Sequence, residues 1–434
     1  MRQYRAYPAY KDSGVEWIGQ VPEHWKIAQI KRISALNPRK STLSEEKDSL
    51  CTFLPMEKLR TNAVTLDETR PIHEVYGGYS YFCDGDILIA KVTPCFENGN
   101  IAIANGLVNG IGFGSTEINV LRVNGKGHNR FLYYRLQEEQ FRTIAKSEMR
   151  GTGGLKRVPT DLFESFTIGL PDTDEQATIA ATLDRETARI DALIEKKNRF
   201  VELLKEKRQA LITHAVTKGL DRNAKMKDSG VEWIGEVPEH WEVKPFFALV
   251  TELNRKNVGL VETNILSLSY GNIIQKPETR NMGLTPESYE TYQIVESGEI
   301  VFRFTDLQND KRSLRSAQVT QRGIITSAYM AVKPQSIDST YFAWLMRSYD
   351  LCKVFYAMGG GLRQSLKFED VRRLPVLIPP VDEQSAITNT INAGTARIDA
   401  LVEKTEQSIT LLKERRAAFI TAAVTGQIDL RGKQ

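Results

Sequence analysis

Cysteine is scarce in this sequence: Cys51, Cys83, Cys95 and Cys352 are the only four in 434 residues, and none form a CxxC pair. That spacing supports neither a disulfide framework nor a thiolate zinc site, and it fits reduced thiols in a cytoplasm. Histidine is as sparse, and His24, His73, His128, His214 and His240 show no metal-ligand spacing. No apolar run approaches the length needed to span a bilayer, and the opening MRQYRAYPAYKDSG lacks an apolar signal-peptide core. A cytoplasmic chain with no membrane contact is therefore expected. There is no Gly-rich loop ending in GK[ST], hence no P-loop for ATP; GIGFG at 110–114 lacks the dinucleotide fingerprint and reads as a turn. Charge of one sign is also missing, since 58 Lys and Arg against 54 Asp and Glu leave a formal net charge of +4. Nucleic-acid contact is allowed by that balance but not announced by it.

What the chain has instead is repetition. KDSGVEWIGQVPEHW at 11–25 returns as KDSGVEWIGEVPEHW at 227–241, with 14 of 15 letters unchanged. A second segment, 175–217, matches 383–425 at 24 of 43 positions. The layout is two half-molecules in tandem, each a short tag, a long variable region and a long helix. Weaker echoes keep their order inside the variable regions: GDILIAK (85–91) with GEIVFRF (298–304), STEINVLR with SAYMAVKP, RFLYYRLQ with TYFAWLMR, and GTGGLKR with GGGLRQS. Short β-rich runs beside helical stretches near 131–146 and 341–356 predict an α+β globule for each. The tag tryptophans Trp17, Trp25, Trp233 and Trp241 read as anchors in a core or an interface.

Residues 175–216 contain neither Pro nor Gly. PDTDEQ offers a capping pattern from Thr173 to Gln176, PPVDEQ keeps the acids, and Gly219 and Gly426 follow the two helices. Apolar residues recur at four–three spacing: Leu183, Ile190, Ile194, Val201, Leu204 and Leu211 in the first, and Ile391, Ile398, Val402, Ile409, Leu412 and Phe419 in the second. A few polar residues interrupt this coiled-coil seam. The plainer alternative is two separate helices, each lying on its own domain. About 42 residues at ~1.5 Å each would reach roughly 60 Å, longer than a small domain. The chain path makes a shared seam antiparallel, with a globule at either end and pseudo-two-fold symmetry.

The tags, the P..DEQ helix starts, the TARIDAL.EK and LLKE.R segments and the paired variable regions together resemble the specificity subunit of type I restriction–modification enzymes, over nearly the whole chain. The resemblance implies two target recognition domains, each reading one half of an asymmetric bipartite site on double-stranded DNA. It implies that the helices set the spacing and dock two methyltransferase subunits, with motor–nuclease subunits joining the full complex. It leaves the chain itself without cofactor, metal or catalytic residue; S-adenosylmethionine, ATP and Mg2+ belong on the partners. No NPP[FY] or DPPY tetrapeptide, as the methyltransferase subunit would carry, is present. Expected boundaries are 1–25 for the N-terminal segment and tag, 26–172 for the first recognition domain, 173–218 for the first spacer helix, and 219–241 for the linker and second tag. The second recognition domain follows at 242–381, then the second helix at 382–426 and a tail at 427–434.

Reading bases requires Arg, Lys, Asn or Gln at base edges, and Lys or Arg at phosphates. The candidates are Lys91, Asn98, Asn100, Arg150, Lys156 and Arg157 in the first region. In the second they are Arg303, Lys311, Arg312, Arg315, Arg363 and Lys367, in apparently exposed polar runs. Ordinary solvated surface charge is the bland reading of each. A protein-binding coiled-coil scaffold, or an enzyme with an unrecognised site, are the competing functions.

Overall fold

The computed structural model describes residues 4–43, 46, 48–152, 154–276, 288–307, 314–358 and 365–432. It is an α+β chain whose contacts divide it into two compact units, Met1–Lys197 with Gln407–Gln434, and Asn198–Glu406.

The first unit is built on a four-stranded antiparallel sheet in the order Ile101–Ile103, Ile87–Ala90, Ile118–Val123, Ser34–Leu36. All four residues of the strand Ile87–Ala90 are buried, as expected of a central strand. A second sheet orders Thr69–Pro71, Leu50–Leu54, Ile111–Gly114 and Ser80–Cys83, with one parallel pair in its middle. The second unit repeats the first sheet strand for strand: Ser316–Gln318, Ile300–Phe302, Met330–Pro334, Val250–Leu253. Among the described residues its counterpart of the second sheet is two antiparallel pairs, the hairpin Leu266–Ser269 with Asn272–Gln275 and the long-range pair Gln293–Val295 with Gly323–Ile325, linked by a parallel bridge between Ile265 and Ile324. The helical stretch expected near 131–146 is two helices, Asn129–Arg135 and Glu139–Ser147; its counterpart is Ser339–Leu351 followed by Val354–Met358.

The long helices run Thr173–Lys218 and Val381–Val424. The cap expected at Thr173 falls one residue earlier: the Asp172 carboxylate accepts from Glu175 N at 2.8 Å. Gln176 does not reach back to close a capping box. Its carbonyl accepts from His128 N at 2.8 Å and its amide donates to Pro171 O at 2.9 Å. Gln384 does the same with Asp338 N and Pro379 O, each at 2.8 Å. These glutamines tie each helix start to its own head instead. Gly219 and Gly426 end the helices at φ +75° and +77°, the left-handed geometry of a helix stop.

Within the first unit, Asp191 pairs with Arg416 at 2.9 Å, and Ile179 and Leu183 share a core with Phe419, Ile420 and Val424. Gly426, just beyond the second helix, lies against Trp25, whose indole reaches Glu175 at the start of the first. The two helix segments in this unit are therefore antiparallel. The second unit repeats the relation: Arg208 pairs with Asp399 at 2.9 Å, and Gly394 lets the Leu211 side chain press against the helix backbone. Of the expected seam, Leu183, Val201, Leu204, Ile391, Ile398, Ile409 and Phe419 are buried. Ile190, Ile194, Leu211, Val402 and Leu412 are half-buried. Threonines that interrupt the pattern stay buried by hydrogen-bonding back one turn, Thr187 to Leu183 O at 2.7 Å and Thr395 to Ile391 O at 2.8 Å.

Each tag is latched to its long helix by one carboxylate. Glu175 accepts from Tyr7 Oη at 2.7 Å and Trp25 Nε1 at 3.2 Å, and its other oxygen lies 2.8 Å from His24 Nε2. Glu383 repeats this with Trp241 Nε1 at 3.1 Å and His240 Nε2 at 2.7 Å. Trp25 and Trp241 are fully buried, whereas Trp17 and Trp233 remain 42% and 44% exposed. Burial, and then the bond to Glu175, push the Tyr7 hydroxyl well above its ordinary pKa.

Candidate nucleic-acid interface

In the first unit the strand Ile87–Ala90 leaves the sheet into Lys91 and Val92, and two later segments join it there. Val158 N donates to Lys91 O at 2.8 Å, and Thr93 N donates to Lys156 O at 3.0 Å. Arg150 and Arg157 exchange backbone hydrogen bonds at 2.8 and 2.9 Å. Four cations scattered over 67 positions of sequence, Lys91, Arg150, Lys156 and Arg157, are thereby carried on three adjoining backbone segments. Arg150, Lys156 and Arg157 are exposed and Lys91 is half-buried. Glu117 sits beside them, accepting from Arg157 Nε at 3.1 Å and Nη2 at 2.6 Å. The Arg157 hydrogen bond holds the Glu117 carboxyl below its usual range and raises Arg157 in turn. Arg150 and Lys156 have no ion pair among the described residues.

The 94–100 turn follows directly. Asn98 is exposed, its backbone carbonyl accepting from Thr61 Oγ1 at 3.3 Å. Asn100 departs from expectation: it is only 6% exposed and closes the turn, its N donating to Cys95 O and its O accepting from Ala90 N. Both asparagines line a cavity of about 160 Å³ with Phe96, Arg142 and Arg416. Asn100 belongs to the frame of the turn, because its backbone bonds need it inside.

The second unit places its candidates at the equivalent strand end. Arg303 N donates to Arg315 O at 2.8 Å, and Leu366 N donates to Phe304 O at 3.0 Å, so Arg303 and Lys367 are brought onto neighbouring segments. Lys367 is exposed and Arg303 half-buried. Arg315 was expected on an exposed run, and the structure corrects this: it is fully buried. Its guanidinium donates to Thr305 O at 2.9 Å, Asp306 O at 3.2 Å and Tyr356 Oη at 3.1 Å, so it shapes the loop beyond Arg303. A buried guanidinium is stable only with its donors engaged, and these carbonyls engage it. Lys311, Arg312 and Arg363 lie outside the described residues.

The contacts of head on helix differ between halves in a coupled way that the sequence reading missed. Asp184 accepts from Tyr134 Oη at 2.6 Å and from Arg130 Nε at 2.9 Å. In the second half the corresponding pair is Asn392 Oδ1 with Trp344 Nε1 at 3.0 Å, and Thr340 stands where Arg130 stood. A carboxylate is present where an arginine must be balanced and a neutral amide where it need not be. The signal was available as a joint change at matched repeat positions. Among the described residues no group of three or more His, Cys, Asp or Glu could hold a metal, and no helix is long and apolar enough to cross a membrane.

Residues 22–203 match the family model described as the type I restriction modification DNA specificity domain. The chain is 32% identical over 167 residues to the type I restriction enzyme EcoEI specificity subunit of Escherichia coli; the match covers 38% of this chain and 28% of that protein. The chain thus spans under a third of that relative's length. It is 23% identical to the type I restriction enzyme MjaVIII specificity subunit of Methanocaldococcus jannaschii, covering 95% of both. Its fold is similar to a chain from a structure described as the structural basis underlying complex assembly and conformational transition of the type I R-M system. That likeness has a TM-score of 0.67 at 14% identity, over 95% of this chain and 99% of the other. Residues 22–203 thus match the DNA specificity domain of type I restriction–modification systems, and the chain as a whole is similar to specificity subunits of those systems.

Proposed function

We propose that the chain is the non-catalytic DNA-specificity subunit of a type I restriction–modification complex. Each unit's variable region reads one half of an asymmetric bipartite site on double-stranded DNA. The long helices form one antiparallel coiled coil with pseudo-two-fold symmetry; it sets the gap between half-sites and docks two methyltransferase subunits. Motor–nuclease subunits complete the assembly, S-adenosylmethionine, ATP and Mg2+ act on the partners, and the complex works in the cytoplasm. The recognition domains correspond to residues 26–172 and 242–381.

The observation that carries this reading is a conserved frame holding unlike faces. The sheet order, the Glu–Trp latch and the Gln tether recur in both halves. The cationic edge is built from different residues at the same strand end. A reader of two unlike DNA words needs that combination, and a scaffold with two equivalent heads does not. Phosphate contacts from Lys91, Arg150, Lys156, Arg157 and Lys367 would set register, with base edges read by Asn98, Arg303 and residues of the polar runs that include Lys311, Arg312 and Arg363. Long-read mapping of adenine methylation in the host, with and without the gene, tests this. Loss of methylation at one split, asymmetric sequence is expected, and an unchanged methylome would overturn it.

A further inference from the structure

The two tags present a surface that folding alone does not explain. Strand Tyr10–Asp12 pairs with Gln20–Pro22, and Met226–Asp228 with Glu236–Pro238, in the same register. The hairpin tips are superposable in their bonding. Ser13 N donates to Gly19 O at 2.9 Å and Ser229 N to Gly235 O at 3.0 Å. Gly14 N and Gly230 N each donate to the preceding aspartate at 2.9 Å. Within residues 11–25, only Val21, Pro22 and Trp25 are buried, yet 14 of 15 letters are shared with 227–241. Elsewhere the halves have diverged even at fully buried positions: Arg135 in one core is Leu345 in the other. Surface identity exceeding core identity is the reverse of what packing constraints produce.

The turn accounts for Gly14, Gly19 and the aspartate. It does not account for Glu16, Trp17 and Glu23, which are exposed in both copies as Glu232, Trp233 and Glu239. The four glutamates have no ion pair among the described residues. Trp17 leans on Phe166 at 6.0 Å and Trp233 on Tyr349 at 4.6 Å, so each half uses a different prop to hold the same half-exposed indole. An exposed tryptophan on a hairpin that also exposes two carboxylates suits a protein socket with an apolar floor and basic rim, and disfavours phosphate. Two identical surfaces on one chain call for two copies of one partner.

We infer that each tag hairpin, through Trp17 with Glu16 and Glu23 and through Trp233 with Glu232 and Glu239, docks one copy of the same basic-rimmed protein. Resting on the function proposed above, that protein is the methyltransferase subunit, which the tag grips in addition to the contact the long helices provide. The test is native mass spectrometry and titration of the full-length chain with the methyltransferase subunit of the same system. Wild type binds two copies. E16K binds one at wild-type affinity and one at least about tenfold weaker, E232K does the reverse, and E16K/E232K weakens both. W17A gives the same single-site loss as E16K, with the melting profile checked for loss of the Phe166 contact. Two full-affinity copies on E16K/E232K would overturn the inference while leaving the DNA-reading function standing. Loss of both copies from E16K alone, or self-association of the wild-type chain that E16K abolishes, would overturn it as well. A wild-type chain that binds no methyltransferase would instead sink the proposed function.

Discussion

The Glu175 latch makes an asymmetric prediction about stability. Glu175→Ala removes a carboxylate whose side chain is 4% exposed and orphans two buried donors, Tyr7 Oη and Trp25 Nε1. Each buried donor left unpaired costs about 1–3 kcal/mol, so the substitution should destabilise its unit by about 2–6 kcal/mol. Glu383→Ala removes the equivalent group, but that side chain is 24% exposed and its histidine partner 50% exposed. One buried donor, Trp241 Nε1, is orphaned, and about 1–3 kcal/mol, half the cost of Glu175→Ala, is expected. Hydrogen exchange in graded denaturant, read peptide by peptide, reports the two units separately. Glu383→Ala costing as much as Glu175→Ala, or Glu175→Ala costing under about 1 kcal/mol, would refute the reasoning.

Three further outcomes follow from the same geometry. Replacing Arg150 and Lys156 together by Ala in the assembled methyltransferase should weaken DNA binding across sequences and lower the slope of log affinity against log salt by about 2; an unchanged slope removes both from the interface. Arg315→Ala should not act as a lost phosphate contact: the second half-site should lose selectivity through the freed Thr305–Asp306 loop, with the salt slope retained, which footprinting on half-site variants can read. Burial lowers the His128 pKa from 6.5, so the folded state takes up fewer protons than the unfolded state as pH falls. Stability of the first unit should therefore decline as pH drops below about 6.5 and level off below the folded pKa, and His128→Asn should flatten that stretch of the calorimetric pH profile.

Repetition makes the two-unit plan readable in the sequence alone, because a duplicated tag and helix can only mean a duplicated frame. The helix bounds and the glycine stops were legible for a similar reason, since propensity and capping act over a few residues. Contacts across long sequence separations were not. Nothing local in PEHW or DEQ says that His24 and Trp25 meet a carboxylate 150 positions away. Only their joint duplication hints at it. Charged residues were the least legible. Arg315 and Lys367 look alike in polar runs, yet one is buried against carbonyls and the other faces solvent. Charge suggests exposure, and only the fold shows which carbonyls a buried guanidinium can find. Thr173 failed as a cap because Asp172, one residue earlier, offers the stronger acceptor to the same helix start.

The most direct test of two unlike readers on one repeated frame is an exchange. Replacing residues 242–381 by residues 26–172 and mapping methylation in vivo should convert an asymmetric split target into a symmetric one, the first half-site facing its own inverse across the gap. Methylation that stays at the original asymmetric sequence would contradict the account.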